Sequence, residues 1–235
     1  LLHQMDSVIK LLSFFLYNEV KVPKFSEEQT SLYQYKTNAD INYRVFLKPN
    51  ILFDEESQGE EQVYFLEFID SIKASFHYSF TGESPADIVG DYEITALMEG
   101  YNKEGEVEKI IWQTSFPLTS KQSIEIKDKE MTQKEDIVCE LSKYNAFADE
   151  VAEATKARTS TRLSLYMRVS LKADTDKGMI EETRSPAIVI PLGQPQFTID
   201  KQQVGEKEGS IEETIQVELP IDRKKVTIFA IPIGI

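Results

Sequence analysis

The sequence predicts a mainly β fold, an antiparallel β-sandwich (Ig-like, with Greek-key connections) that carries one inserted amphipathic helix around residues 133–157. Three observations predict it. Apolar side chains recur at every second position in many runs, clusters of Gly, Pro and Asn separate those runs, and one segment spaces its apolar residues by three and four. Two facing sheets would bury the apolar faces of all these strands.

Alternation marks the strands, because successive side chains of a strand point to opposite faces. One apolar run, at residues 187–190, is unbroken and predicts a strand covered on both faces. The sets predicted to face the core are Ile41, Tyr43, Val45 and Leu47; Ala74, Phe76, Tyr78 and Phe80; Tyr92, Ile94, Ala96 and Met98; Ile110, Trp112 and Phe116; Leu163, Leu165, Met167, Val169 and Leu171; and Ile215, Val217 and Leu219.

Turns are expected where Gly, Pro and Asn cluster, since these residues supply the backbone angles that turns require. The clusters lie at residues 48–50, 82–90, 100–105, 174–178, 193–195 and 205–209.

Residues 132–158 carry the helical pattern. Thr132 and Glu135 predict a capping box, in which each side chain bonds the other's unpaired backbone amide. We expect the helix to pack on an edge or opening of the sandwich or to join two subdomains. A single domain over residues 30–222 is favoured, because the chain shows no repeat or low-complexity linker. The apolar stripe comprises Ile137, Leu141, Tyr144, Ala148 and Val151.

Composition excludes several classes of protein. The 40 acidic residues outnumber the 26 basic ones and give a formal charge of −14, so most of the surface repels nucleic acid. A hydrophobic content of 41% is typical of a folded soluble domain. The single cysteine excludes an intrachain disulfide, and the missing N-glycosylation pattern favours a prokaryotic source.

Both ends of the sequence predict contact with a membrane. Residues 1–29 are expected to form a membrane-proximal helical segment, since the apolar residues 8–17 are too few to span a bilayer. Residues 223–235 are expected to begin a transmembrane helix or to form a last strand, because residues 226–235 carry no charge. The basic residues 223–225 favour a cytoplasmic domain, but long domains translocate largely regardless of local charge, and we expect an extracytoplasmic one.

Cysteine and histidine are the first candidates for catalytic groups. Cys139 would be a nucleophile if His77 were its base. On the predicted helix, however, Cys139 points away from the apolar stripe into surroundings of mixed charge that do not activate a thiol. His3 and His77 lie too far apart in sequence to form a close-spaced pair of zinc ligands. We therefore expect no catalytic residue, no cofactor and no metal.

Two acidic clusters are candidates for calcium: residues 54–56 with Glu60 and Glu61, and Asp174 and Asp176 with Gly178. The second lacks the glycine and terminal glutamate of an EF-hand loop at the required spacing, so a hairpin turn explains it better. The first is expected to be a solvated loop. Sequence alone cannot rank a glycosidase pair among 40 carboxylates. The serine hydrolase, Walker and dinucleotide motifs are absent.

Aromatic residues are the remaining candidates for ligand binding, as a platform on which sugars stack. Most of them fall on the inward face of a strand, which favours packing in the core. These residues are Tyr33, Tyr35, Tyr43, Tyr64, Tyr78, Tyr92, Tyr101 and Trp112.

Several short sequence motifs resemble those of a known protein family. Tyr33 and Tyr35, followed by INYRVFLKPNILF at residues 41–53, open the resemblance, and FHYSF at 76–80, GDY at 90–92 and Trp112 before Phe116-Pro117 agree. The stretch from about residue 30 to 220 resembles an uncharacterised family of bacterial and archaeal membrane-anchored proteins, a domain of unknown function often encoded near type I signal peptidases. The resemblance implies an extracytoplasmic domain between two membrane helices and assigns no catalytic residues.

The leading hypothesis is a membrane-tethered module with a structural or protein-interaction role at the cell envelope, where a protein or an envelope component would be the partner. A carbohydrate- or peptide-binding module is the second hypothesis, and it requires exposed aromatic rings beside the turns. A hydrolase with an unrecognised carboxylate or Cys139 site is the third, and it requires a deep pocket with paired groups.

Overall fold

The computed structural model describes residues 25–219, of which 72% lie in strands. This confirms a mainly β antiparallel fold with one helix in the described range. The elements are β1 (Phe25–Leu47), β2 (Ser57–Gln58), β3 (Tyr64–Phe65), β4 (Ile69–Glu104), β5 (Val107–Pro117), β6 (Gln122–Cys139), helix α1 (Leu141–Thr155), β7 (Ser160–Thr175), β8 (Gly178–Arg184), β9 (Ala187–Leu192), β10 (Gln196–Phe197), β11 (Asp200–Gln202) and β12 (Gly205–Glu218).

The chain divides into two compact units. The described part of one unit consists of residues 25–32 and 212–219, at the start of β1 and the end of β12. The other unit is Tyr33–Ile211. Residues 25–29, expected in a helical segment, open the strand β1. The expectations for residues 1–24 and 220–235 lie outside the described residues.

Ten of the strands form one antiparallel sheet with the order β11-β9-β7-β4-β1-β12. Strand β2 pairs with β1, β5 and β6 pair with β4, and β8 pairs with β7, while β10 and β3 make a separate two-stranded sheet. The large sheet is strongly curled. A single curled sheet covers its own apolar face, so the two separate facing sheets of an Ig-like sandwich are not established.

Strand β4 is the centre of the sheet and runs unbroken for 36 residues. The turn predicted at residues 82–90 is therefore wrong. Between Thr81 and Ala86 the pairing with β6 shifts register, which places the proline of the cluster in a bulge where its missing N–H breaks no ladder bond. Gly90 lies so close to the backbone of Ser170 and Leu171 that a side chain there would collide with them. Both features allow β4 to bend within the sheet.

The core lies on the inward face of the curled sheet, and the alternation predicted four of its six sets. In the other two sets the assignment to the core is wrong at three exposed residues, Ile110, Ile215 and Leu219. Ile41, Phe76, Ile94 and Leu165 are at most 1% exposed, and three of the four residues 187–190 are buried.

Of the turn predicted at residues 100–105 only Gly105 lies outside β4, where the hairpin to β5 turns. The turn predicted at 174–178 is present at residues 176–177, and the loop at 193–195 is present. The turn predicted at 205–209 is wrong, since these residues lie in β12.

Helix α1 is shorter than predicted. Residues 132–139 belong to β6, where Thr132 pairs with Ser79 and Cys139 with Ile72, so the predicted capping box does not form. Within the helix, Tyr144 and Phe147 pack edge-on against Phe116, with ring centroids 5.9 and 5.4 Å away. Across residues 25–219, no helix has the length and apolar character that a bilayer crossing demands.

Candidate functional site

The connection from β1 to β3, residues 48–63, presents apolar side chains to solvent; we call it the 48–63 loop. The side chain of Ile51 is 94% exposed, more than any other large apolar residue in the described range, and that of Leu52 is 58% exposed. Val63 at the end of the loop is half exposed. Neighbouring exposed apolar side chains are typical of an interaction site, whereas single ones are common everywhere.

Asn50 fixes the backbone at the tip of this loop. Its side-chain Oδ1 accepts hydrogen bonds from the amides of Leu52, at 2.9 Å, and Phe53, at 2.8 Å. Its Nδ2 donates to the carbonyl of Lys48 at 3.0 Å. This arrangement is an Asx turn, in which a side chain takes the place of a backbone partner. The Asx turn therefore constrains the backbone that carries the two exposed residues.

Hydrogen bonds and packed rings hold the base of the loop. The amide of Leu47 donates to the carbonyl of Glu56 at 2.8 Å, and the amide of Lys48 donates to the carbonyl of Phe68 at 2.7 Å. The ring of Phe53 lies 6.4 Å from Phe65 and 6.5 Å from Phe68, between centroids. Aromatic pairs at these distances add to the stability that burial alone supplies.

Glu60 anchors the second half of the loop. Its Oε1 accepts a hydrogen bond from the amide of Tyr43 at 2.7 Å, and its Oε2 lies 2.6 Å from Lys201 Nζ. Nearby, the hydroxyl of Tyr64 donates to the carbonyl of Gly59 at 2.5 Å. Burial, and then the hydrogen bond with Tyr43, raise the pKa of Tyr64 above its ordinary value. The hydroxyl therefore keeps its proton and the bond to the loop.

The surroundings of the exposed tip are acidic. Five of the sixteen residues in the 48–63 loop are acidic and one, Lys48, is basic. Asp54, Glu55 and Glu56 follow the tip directly and are exposed. The loop therefore offers an apolar contact with negative charge beside it.

A second polar feature faces inward from strand β8. Lys207 Nζ lies 2.8 and 2.9 Å from the two carboxylate oxygens of Glu182, whose side chain is 4% exposed. Arg184 donates to Thr37 Oγ1 at 3.2 Å and to the carbonyls of Gln203 and Gly205 at 3.2 and 3.0 Å. These contacts connect β8 to β1, to β12 and to Gln203 just before β12, so the cluster stabilises the pairing of these parts of the sheet.

The structure separates the candidate thiol from its candidate base. Cys139 ends β6 and faces inward with 2% exposure, so the prediction that it points away from the apolar stripe of a helix is wrong. Burial, and then the charge of Glu140, raise the pKa of Cys139 to about 12. His77 lies in the outward set of β4, opposite Asp40 and Lys134. The two side chains lie on opposite faces, so His77 cannot act as the base of this thiol.

The acidic candidates are dispersed. Asp174 and Asp176 belong to the β7–β8 hairpin, where Thr175 Oγ1 donates to the carbonyl of Gly178 at 2.8 Å. This confirms the hairpin explanation. In the range 25–219 no group of three or more His, Cys, Asp and Glu side chains is placed to hold a metal ion.

A shallow groove of about 370 Å³ runs across β4, β7 and β8. Three carboxylates line it, Asp91 of β4 and the neighbouring Glu181 and Glu182 of β8, and Asp91 pairs with Lys121 at 3.1 Å. Glu181 pairs with Lys172 at 2.6 Å on the outward face, whereas Glu182 points inward to Lys207. Neighbouring strand residues face opposite sides, so Glu181 and Glu182 do not converge as an acid–base pair would, and Asp91 and Glu181 are each held by a lysine of their own.

The aromatic candidates serve mainly as core. Tyr33, Tyr43, Tyr64, Tyr78 and Tyr92 are buried, and three others are partly exposed but engaged. Tyr35 stacks on Phe80 at 5.8 Å, Arg162 lies 4.7 Å above the ring of Tyr101, and Trp112 Nε1 donates to Thr159 Oγ1 at 3.3 Å. A sugar platform needs free ring faces, which these residues use within the protein.

Comparison with known families adds one finding. The model of a family of unknown function, DUF5305, matches residues 112–235. The chain belongs to this family. No curated protein and no solved structure shows significant similarity to this DUF5305 member. The matched stretch begins at Trp112 and includes helix α1 and the Glu182–Lys207 pair, whereas the motifs at residues 33–53 precede it.

Two features of this DUF5305 chain escaped the sequence analysis. The segment Gly178–Arg184 reads GMIEETR, and alternation places Ile180, Glu182 and Arg184 on one face. The sequence pattern therefore indicates that the charges of Glu182 and Arg184 face inward with Ile180. The sequence pattern at the exposed tip is a weaker indication: three consecutive apolar residues follow Asn50 in a turn cluster and precede three acidic residues. That pattern suits neither a strand nor a solvated loop.

Proposed function

We propose that this chain is a membrane-tethered, extracytoplasmic β module with a structural or protein-interaction role at the cell envelope, and that it is not an enzyme. The pairing of β1 with β12, neighbours in the large sheet, carries the proposal. In one unit Ser26 Oγ donates to the carbonyl of Val217 at 3.5 Å, and in the other Thr37 Oγ1 donates to that of Lys207 at 3.5 Å. Residue numbers rise along β1 as they fall along β12, so Phe25 and Glu218 lie at the same end of the pair.

Apolar sequence flanks both of these strand ends. Residues 8–17 precede β1, and the uncharged residues 226–235 follow β12. Segments that continue from adjacent strand ends can enter the same membrane. The proposal takes residues 226–235 as the start of a transmembrane helix. The resemblance of residues 33–53 to membrane-anchored proteins supports the same choice.

The use of reactive groups supports a role without catalysis. The thiol of Cys139 is buried and protonated, the carboxylate of Glu182 is neutralised by Lys207, and Glu60 holds a loop. The most exposed large apolar residue of the described range, Ile51, in contrast, lies beside the exposed Leu52 at the tip of the 48–63 loop. A surface of this kind is suited to binding another molecule.

A single introduced cysteine tests the location. Lys177 lies in the exposed turn between β7 and β8, and the chain's own cysteine, Cys139, is buried. In cells that express the complete natural gene product, Lys177→Cys adds one accessible thiol to this domain. We expect a membrane-impermeant maleimide to label the variant in intact cells as strongly as after lysis. The unmodified protein provides the background level.

Membrane attachment is measured in the same cells. The labelled product should remain in the membrane pellet after an alkaline carbonate wash, which removes peripheral proteins. Labelling that requires lysis would place the domain inside the cell, as the basic residues 223–225 predict. Release by carbonate would remove the tether from the proposal.

A further inference from the structure

We propose that the 48–63 loop is the docking element of this chain and that its occupant is a protein with an apolar pocket and a basic rim. This inference rests on the interaction part of the proposed function. It is carried by three features that coincide at one place: the exposure of Ile51 and Leu52, the fixed backbone beneath them, and the acidic residues beside them.

Rigidity makes the tip a binding element. Ordering a loop on binding costs conformational entropy, and a loop that is already ordered avoids most of this cost. Asn50 bonds the two amides that follow Ile51, and the rings of Phe53, Phe65 and Phe68 pack behind them. Ile51 and Leu52 therefore project from a backbone that hydrogen bonds and packed rings already constrain.

Charge selects the occupant. A membrane surface is the first competitor, but the exposed carboxylates of Asp54, Glu55 and Glu56 would be repelled by anionic lipid headgroups, and the tip has no Trp or Tyr to anchor it. A second copy of the chain is the other competitor. With a formal charge of −14, two copies would bring like charges together. A partner with Lys and Arg around an apolar pocket satisfies both parts of the loop.

Other exposed apolar side chains lack this combination. Ile110 and Ile111 are also exposed neighbours, but they are only 38% and 44% exposed and lie within the regular strand β5. Val107 is 69% exposed at the β4–β5 hairpin between two glutamates, and Val138 is 64% exposed near the end of β6. Both lie in regular strands with no exposed apolar neighbour next to them in sequence. Val107 therefore provides a control position of matched exposure outside the loop.

The test selects peptide ligands with the complete chain. A random-peptide phage library is selected on the immobilised wild-type protein and counter-selected on Ile51→Ser/Leu52→Ser, whose changes are both at exposed positions. We expect the surviving peptides to combine Lys or Arg with Leu, Phe or Trp. A synthetic copy of one such peptide should bind the wild type at least about 10-fold more tightly than the double variant, since each apolar side chain buried on binding contributes to affinity.

Three further variants separate the contributions. Glu55→Lys/Glu56→Lys should weaken the same peptide about 10-fold at low salt, and the difference should shrink near 1 M salt, where the Debye length is about 3 Å. Asn50→Ala should weaken it while leaving the apolar residues in place. Val107→Ser should leave the affinity unchanged. Circular dichroism verifies that each variant is folded.

Several outcomes would overturn the proposal. The first is that no peptide distinguishes the wild type from Ile51→Ser/Leu52→Ser, and the second is that the recovered peptides contain no basic residues. The third is that the chain binds vesicles of phosphatidylcholine and phosphatidylglycerol in a way that depends on Ile51. The fourth is that the chain associates with itself in a way that depends on Ile51. The cysteine-labelling result is independent of all of these. Surface labelling with no selected peptide refutes the docking loop alone, and peptide binding with labelling only after lysis refutes the location alone.

Discussion

Lys207 Nζ lies within 2.9 Å of both carboxylate oxygens of Glu182, and the two side chains differ sharply in exposure. The side chain of Glu182 is 4% exposed, whereas that of Lys207 is 53% exposed. The carboxylate has therefore lost its water and depends on one partially hydrated ammonium group. The charge of Glu182 also acts on Tyr78. Burial of the Tyr78 hydroxyl first, and the negative charge of Glu182 next, raise the pKa of Tyr78 above its ordinary value.

The first prediction concerns this pair. Lys207→Met should lower the free energy of unfolding by roughly 2–3 kcal/mol, because it leaves a buried carboxylate without a partner. Lys36→Met is the matched control, since Lys36 pairs with Glu206 at 2.6 Å but both side chains are about half exposed, and such pairs are worth about 1 kcal/mol or less. Urea unfolding measures both. The double variant Glu182→Met/Lys207→Met should recover most of the loss, and equal effects of the two single lysine variants would contradict the prediction.

The second prediction concerns the close approach of Tyr33 to Gly82. A Cβ at residue 82 would overlap the Tyr33 hydroxyl, which donates to the carbonyl of Ser84 at 2.7 Å. Gly82→Ala should therefore destabilise the fold by roughly 2–3 kcal/mol, and Gly82→Ala/Tyr33→Phe by less than the sum of its single changes. Gly59→Ala, where a Cβ has open space, should be nearly neutral. Additive effects in urea unfolding would show that the overlap does not exist in solution.

The third prediction concerns pH and Cys139. The thiol has a pKa near 9 when unfolded and about 12 in the fold, so the fold holds this proton more tightly. The resulting stability is complete below pH 9 and is lost as the pH rises from 9 to 12. Between about pH 8 and about pH 10.5 the wild type should lose about 1–2 kcal/mol more than Cys139→Ala, since one proton accounts for about 1.4 kcal/mol per pH unit. The tyrosines titrate in both proteins and largely cancel in the difference; Tyr144 is the exception, because burial first and the charge of Cys139 next raise its pKa. Parallel pH profiles would refute the burial of the thiol.

Much of the fold could be predicted because alternation reports directly which strand face is buried. The sets around Phe76, Tyr92 and Leu165 were assigned correctly for that reason. Alternation does not report how a face is covered, since a curled sheet and two facing sheets produce the same pattern. Local composition also misled at residues 82–90, where Pro and Gly mark a bulge and a bend within β4. Tertiary pairing with β6 decides between a turn and a bulge.

The start of helix α1 was misplaced for a related reason. Residues 131–139 place Met131 and Cys139 on the buried face at period two, while Ile137 also fits the spacing of three and four that continues through Leu141 and Tyr144. Both periods share residues at the junction, so sequence alone could not separate them. The candidate site was harder still, because the exposure of Ile51 depends on which side of the loop packs against Phe65 and Phe68. Only the fold determines that.

The last prediction isolates the turn at Asn50. Asn50→Ala removes the acceptor for the amides of Leu52 and Phe53 and the donor to the carbonyl of Lys48, all on the protein surface. The global free energy of unfolding should fall by about 1 kcal/mol or less, because these groups can bond to water instead. Hydrogen exchange at the amides of residues 52 and 53 should accelerate markedly, while the amide of Tyr43, bonded to Glu60, should keep its protection. Unchanged exchange at residues 52 and 53 would mean that the ring cluster of Phe53, rather than Asn50, orders the tip, and the preorganisation argued for docking would then rest on those rings alone.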